Sequence, residues 1–167
     1  MASLLAWQFA LMKQWGLTIM YTAVFVPFMI YSIICWRKQT LQSKENENAL
    51  CPTWLSFKVQ GLNLLFLIGI VAIDSGLLMH YESTIHSGQL MLKLTSGVMI
   101  GSSILANFWL IYQKLDAWIW WVVYSIAGMT MYALIGNAFS FVLFTIFLIV
   151  NTGAGLAWIK LRKQYIK

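Results

Sequence analysis

Residues 105–126 read L-A-N-F-W-L-I-Y-Q-K-L-D-A-W-I-W-W-V-V-Y-S-I, and how this stretch is understood decides the fold. An apolar run ends at the short polar turn Gln113-Lys114-Leu115-Asp116. A second apolar run then begins with three tryptophans in four positions, Trp118, Trp120 and Trp121. Tryptophan gathers where a membrane helix meets the lipid headgroups, so the pattern predicts two spans joined by a tight turn at one interface.

The rest of the chain agrees. Apolar residues make up 60% of the 167 positions and charged residues only 10%, a balance that a water-soluble domain rarely carries. At 1.5 Å per helical residue, runs near 17–36, 57–80, 91–112 and 138–159 are long enough to cross a hydrocarbon core of ~30 Å. A shorter, Trp-rich run lies near 117–134. The expectation is an all-α polytopic membrane bundle of about five transmembrane helices plus a partial N-terminal helix. The longest polar segment, R-K-Q-T-L-Q-S-K-E-N-E-N, is only a loop, so any function lies within the helices. The first fifteen residues lack the basic start and cleavage site of a signal peptide.

Charge placement orients the bundle. Arg37, Lys38, Lys44, Lys58, Lys114, Lys160, Arg162, Lys163 and Lys167 fall on one side, and only Lys13 and Lys93 on the other. Basic residues mark the cytoplasmic face, which predicts a multi-pass protein of the inner (plasma) membrane with a cytoplasmic C-terminus. The net charge of +6 is thereby a topology signal, and no nucleic-acid partner is expected. Cys35 and Cys51 flank the same loop, where thiols stay reduced. His80 and His86 fall in the outer loop as solvated side chains. No metal-ligand spacing, phosphate-binding glycine loop, nucleophile elbow or cofactor motif occurs, which disfavours an enzyme.

Two helix ends echo one another: C-W-R-K-Q at 35–39 and A-W-I-K-L-R-K-Q at 157–164. Such internal repeats are common in transporters. The echo divides the chain into 1–36, an incomplete first three-helix unit; 37–90, a loop, linker helix and outer loop; and 91–167, a second three-helix unit with a basic tail. Aligning Trp36 with Trp158 makes residues 1–14 the partner of the 117–134 helix with its first turn missing. Completing the first unit would take about 25–40 further upstream residues, one span plus a turn.

The 105–126 run, the turn Y-A-L-I-G-N and the ending L-A-W-I-K-L-R-K resemble the C-terminal half of the PnuC family of vitamin-precursor transporters, typified by nicotinamide riboside uptake. I-Y-S-I-I-C-W-R-K-Q-T is similar to that family's Ile-Tyr-Gly-Trp-x-x-Trp helix end. The resemblance implies a SWEET-like arrangement of three, one and three helices. It also implies facilitated diffusion of a nucleoside-like vitamin precursor that a separate kinase then traps, no cofactor, and assembly as a homotrimer in the lipid bilayer. The family's Glu-Asn-Trp reads Asp116-Ala117-Trp118 here, a following polar position reads Ser125, and family tyrosines read Ala138 and Phe144. Those departures put the substrate in question, with deoxynucleoside, thiamine or riboflavin as alternatives to nicotinamide riboside.

On a 3.6-residue helix Trp118, Trp121 and Ser125 share one stripe and Trp120 and Tyr124 another, so one set is expected to face the bundle and the other lipid or a neighbouring subunit. Trp118 and Trp121 occupy the family's Trp-x-x-Trp positions. A flat ring leaving water gains from an indole partner, and a cationic pyridinium gains cation–π attraction besides. An interfacial belt explains the same residues without a ligand. Ribose hydroxyls need polar partners inside apolar spans, and Ser103, Asn107, Ser125 and Asn151 are the candidates, with Trp36 at the repeat-related helix end. Asn107 follows Ala106 where the family has Ala-Gln, so it is the leading candidate, with an interhelical hydrogen bond as its structural alternative. Asn151, in N-T-G-A-G, is favoured for packing. Asp74 is an intramembrane acid, read as a structural or rim residue before a proton or cation site. Lys93 is expected to snorkel to water. A non-transporting membrane subunit is the rival class.

Overall fold

A computed structural model of the chain describes residues 52–81 and 87–165, together with part of 22–35. Four long helices follow one another: α1, Phe57–Tyr81; α2, Ser87–Ile111; α3, Asp116–Ile135; and α4, Ala138–Tyr165. Each is long and apolar enough to cross a membrane, and a shorter apolar helix, Val26–Cys35, lies within the span expected at 17–36. The chain is an all-α polytopic membrane bundle. Trp36, Cys51, His86 and residues 1–14 lie outside the described residues, as does the side chain of His80.

The helices end where the local chemistry requires. Gly136 adopts the left-handed conformation at φ 74°, and its N–H bonds the carbonyls of Ala133 and Tyr132 to close α3, a geometry glycine adopts without steric cost. Asn137 then caps α4, its Oδ1 accepting from the Ser140 N–H at 3.1 Å. At the other tight turn Lys114 N–H reaches back to the Trp109 carbonyl at 2.9 Å, and Gln113 takes φ 54°. That turn reverses the chain within four residues.

α2 packs against α1 and α3, and α3 against α2 and α4. α2 and α3 therefore hold the core, where Met99, Tyr124, Met131, Tyr132 and Phe144 are almost fully enclosed. α1 and α4 turn Leu62, Leu65, Ile68, Phe139, Val142 and Ile149 outward, as helices solvated by lipid do. Without a hydrophobic drive between membrane helices, close approach comes from small residues. At Gly128 an added Cβ would run into Cδ1 of Phe144, so the aromatic ring occupies the space the glycine leaves.

Candidate functional site: the two seams of α3

The entrance of α3 is built from three separate pieces of chain. Thr53 forms a parallel bridge with Lys114: the Leu115 N–H donates to the Thr53 carbonyl at 3.0 Å, and Lys114 Nζ donates to Thr53 Oγ1 at 2.7 Å. This strap, residues 52–56, holds the α2–α3 turn against the start of α1. Beside it the Asp116 carboxylate, 2% exposed, accepts from the Leu55 N–H through Oδ2 at 2.6 Å and from the Gln60 amide through Oδ1. Asp116 is also the first residue of α3, where the helix dipole favours negative charge. One turn along α1, Asn63 Oδ1 accepts from the indole N–H of Trp109 at 3.2 Å.

The expected sites fall into two groups. On α2, Asn107 is buried and gives one amide hydrogen to the Ser103 carbonyl at 2.8 Å, while the Ser103 hydroxyl donates to the Ile100 carbonyl at 2.9 Å. Both of these bonds run along α2 itself. On the α3–α4 seam, Asn151 Nδ2 donates to Ser125 Oγ at 3.1 Å, and Ser125 Oγ donates back to the Trp121 carbonyl at 2.8 Å. The Trp118 ring meets Trp158 edge-on, with centroids 5.5 Å apart, and its Cβ lies against Gly155. Trp121 joins the groups, packing both on the cluster of Leu105, Ala106 and Trp120 and on the core around Tyr124. Trp36 lies outside the described residues.

Two expectations change, and three residues enter that sequence reasoning missed. Of the two α3 stripes neither faces lipid: Trp120 and Tyr124 are buried, Trp118 and Trp121 partly so, and the exposed line runs through Ile119, Ile126 and Thr130. A helix packed on two sides buries more than one stripe, which a single-face argument does not anticipate. Lys93, expected to reach water, is only 8% exposed. Asp116, Gln60 and Asn63 were not singled out as site residues, because their partners lie up to 61 positions away. The available signal was a carboxylate in the first turn of α3 and two amides three residues apart on one face of α1.

Two indole donors stand out electrostatically. Nε1 of Trp118 and Nε1 of Trp120 are enclosed without a hydrogen-bond acceptor in the protein. Such a buried donor costs about 1–3 kcal/mol unless something else accepts from it. Polar groups and flat rings thus line α3, with indole donors to spare.

A family model described as "Nicotinamide mononucleotide transporter" matches residues 1–160. The chain belongs to this family. It is therefore a multi-pass membrane transporter of the nicotinamide nucleotide or riboside type, as the resemblance read from its motifs implies, and the family is one of transporters rather than enzymes. No curated protein and no solved structure matches the chain.

Proposed function

We propose that the chain carries out facilitated uptake of a vitamin-type nucleoside, with nicotinamide riboside as its substrate, across the inner (plasma) membrane. The substrate passes between two three-helix units, the second formed by α2, α3 and α4, by alternating access, and is phosphorylated inside the cell by a separate kinase. The C-terminus is cytoplasmic and the working assembly is a homotrimer. The observation that carries this reading is the buried Trp118 indole N–H without a protein acceptor, at the first Trp of the Trp-x-x-Trp pair and within one helical turn of Trp121. A nicotinamide ring offers such a surface both stacking and a carboxamide acceptor, and its positive charge adds up to ~2 kcal/mol of cation–π attraction when desolvated. Asn107, Ser103, Ser125 and Asn151 supply donors and acceptors for the ribose, since each hydroxyl left unpaired on burial costs about 1–3 kcal/mol.

The test is tryptophan fluorescence of detergent-purified protein titrated with nicotinamide riboside, thiamine, riboflavin and a deoxynucleoside. Saturable quenching by the riboside, weakened in Trp118→Ala and in Asn107→Ala, is expected and leads to uptake assays in proteoliposomes. If no ligand quenches, the nucleoside reading fails and the tryptophans serve the bundle alone.

A further inference from the structure

The described helices hold one buried carboxylate, Asp116, and one half-buried one, Asp74, and their surroundings are opposite. Asp116 receives a backbone N–H and a side-chain amide, one on each oxygen. Asp74 stands seven residues before Tyr81, the end of α1, about 10 Å along the axis at 1.5 Å per residue. Its Oδ2 is enclosed and meets no donor. Ser96 of α2 lies within hydrogen-bonding reach of the carboxyl group. Next to it Ser75, 8% exposed, has a hydroxyl that likewise finds no partner. The two helices touch here: a Cβ on Gly97 would lie 2.9 Å from Val71 Cα and 3.5 Å from Asp74 Cβ.

The charged group facing this seam from α2 is Lys93. The antiparallel register sets Gly97 beside Val71 and Asp74, and Gly101 beside Leu67 and Ile70, so Lys93 stands one turn closer to the α1–α2 loop. Helical side chains lean toward the N-terminus of their own helix. In this antiparallel pair Lys93 leans toward that loop and Asp74 away from it. Among the described residues no group of three or more His, Cys, Asp or Glu could hold a metal ion, and a bound hard cation wants six or more oxygens. An ionised carboxylate with one oxygen sealed from every donor is strongly disfavoured inside hydrocarbon. A neutral acid is not, because its O–H can donate to a backbone carbonyl one turn back, as serine does in helices.

We propose that Asp74 is a proton-binding site inside the bilayer, neutral while the α1–α2 seam is closed and giving its proton to water when the seam opens. In that step the carboxylic O–H bond breaks, its electron pair stays on the carboxylate, and the proton leaves on an entering water molecule. The site stands independently of which molecule the family member carries.

Infrared spectroscopy of the full chain in lipid nanodiscs reads this directly. At neutral pH the native protein is expected to show the carbonyl stretch of a protonated carboxylic acid. Asp74→Asn removes it, Asp116→Asn leaves it, and Asp74→Glu shifts it. Identical spectra from the native protein and Asp74→Asn overturn the proposal, as does a band that disappears in Asp116→Asn instead. Should Asp74→Asn fail to fold, an unshifted band in Asp74→Glu overturns it equally. Proteoliposomes that take up no nucleoside while the Asp74 band persists would sink the transport reading alone and leave the proton site standing.

Discussion

Besides its packing on α2, α3 is held by two seams of different chemistry. Toward α1 and the strap it is fixed by directed bonds: Asp116 to Leu55 and Gln60, and the Thr53–Lys114 bridge. Toward α4 it is held by shape: Phe144 seated on Gly128 and Trp118 on Gly155, with Ser125–Asn151 as the polar pair. Hydrogen bonds require alignment of donor and acceptor as well as distance, whereas ring-on-glycine contacts carry no such angular requirement. The first seam therefore sets the register of α3, and the second is where small displacements are tolerated. Of the candidate ligand residues in the proposed alternating-access cycle, Trp118, Ser125 and Asn151 sit on the tolerant side, while Trp121 bridges it to α2.

The largest effect tests the directed seam. Asp116→Ala leaves a half-buried N–H and a half-buried amide without their acceptor, and bonds to a charged group contribute about 1.5–3 kcal/mol each. Unfolding in mixed micelles should show a loss of about 3 kcal/mol or more on that basis. A loss no greater than that of Asn151→Ala would erase the contrast between the seams. Next comes Gly128→Ala, which drives a methyl group into the enclosed Phe144 ring and should cost about 1–3 kcal/mol by overpacking. Phe144→Leu, made together with it, should restore most of that loss. If the double variant is as unstable as the sum of the two singles, the ring is not what Gly128 accommodates.

The helices were legible because a bilayer imposes a length on every apolar run and tolerates polar turns only at its faces. The runs expected at 57–80, 91–112, 117–134 and 138–159 correspond to α1, α2, α3 and α4, differing mainly by extra turns at helix ends such as the basic one through Tyr165. The way the helices enclose one another was much less legible. Period and spacing place Trp120 and Trp118 on different stripes, but only packing against both α2 and α4 hides both. Lys93 illustrates the same limit, since burial of a long cationic side chain depends on the neighbour it lies against. Of the candidate polar residues, Ser125 and Asn151 were separately visible as polar positions in apolar spans, and the fold brings them to 3.1 Å. Asp116 was visible only through its family counterpart, because the bonds that define it join positions 56 and 61 apart.

Two smaller effects sharpen the comparison on the tolerant side. Replacing Trp158 with Ala removes the edge-on partner of Trp118, and aromatic pairs are worth about 0.5–1.5 kcal/mol beyond their buried area. Trp158→Ala should lower stability by that order, and it should also loosen Trp118, so riboside quenching weakens without being abolished. Unchanged quenching would mean that Trp118 is positioned by Gly155 and α3 alone. The smallest effect belongs to Ser125 and Asn151. Polar pairs between membrane helices couple by about 0.6 kcal/mol on average, because each partner finds substitutes in the unfolded state. A double-mutant cycle of Ser125→Ala and Asn151→Ala should return a coupling of that size in stability and a larger one in riboside binding, since both groups are assigned to the ribose. Coupling confined to stability would make the pair a helix fastener, and the sugar's partners would then have to be sought on α2, at Ser103 and Asn107.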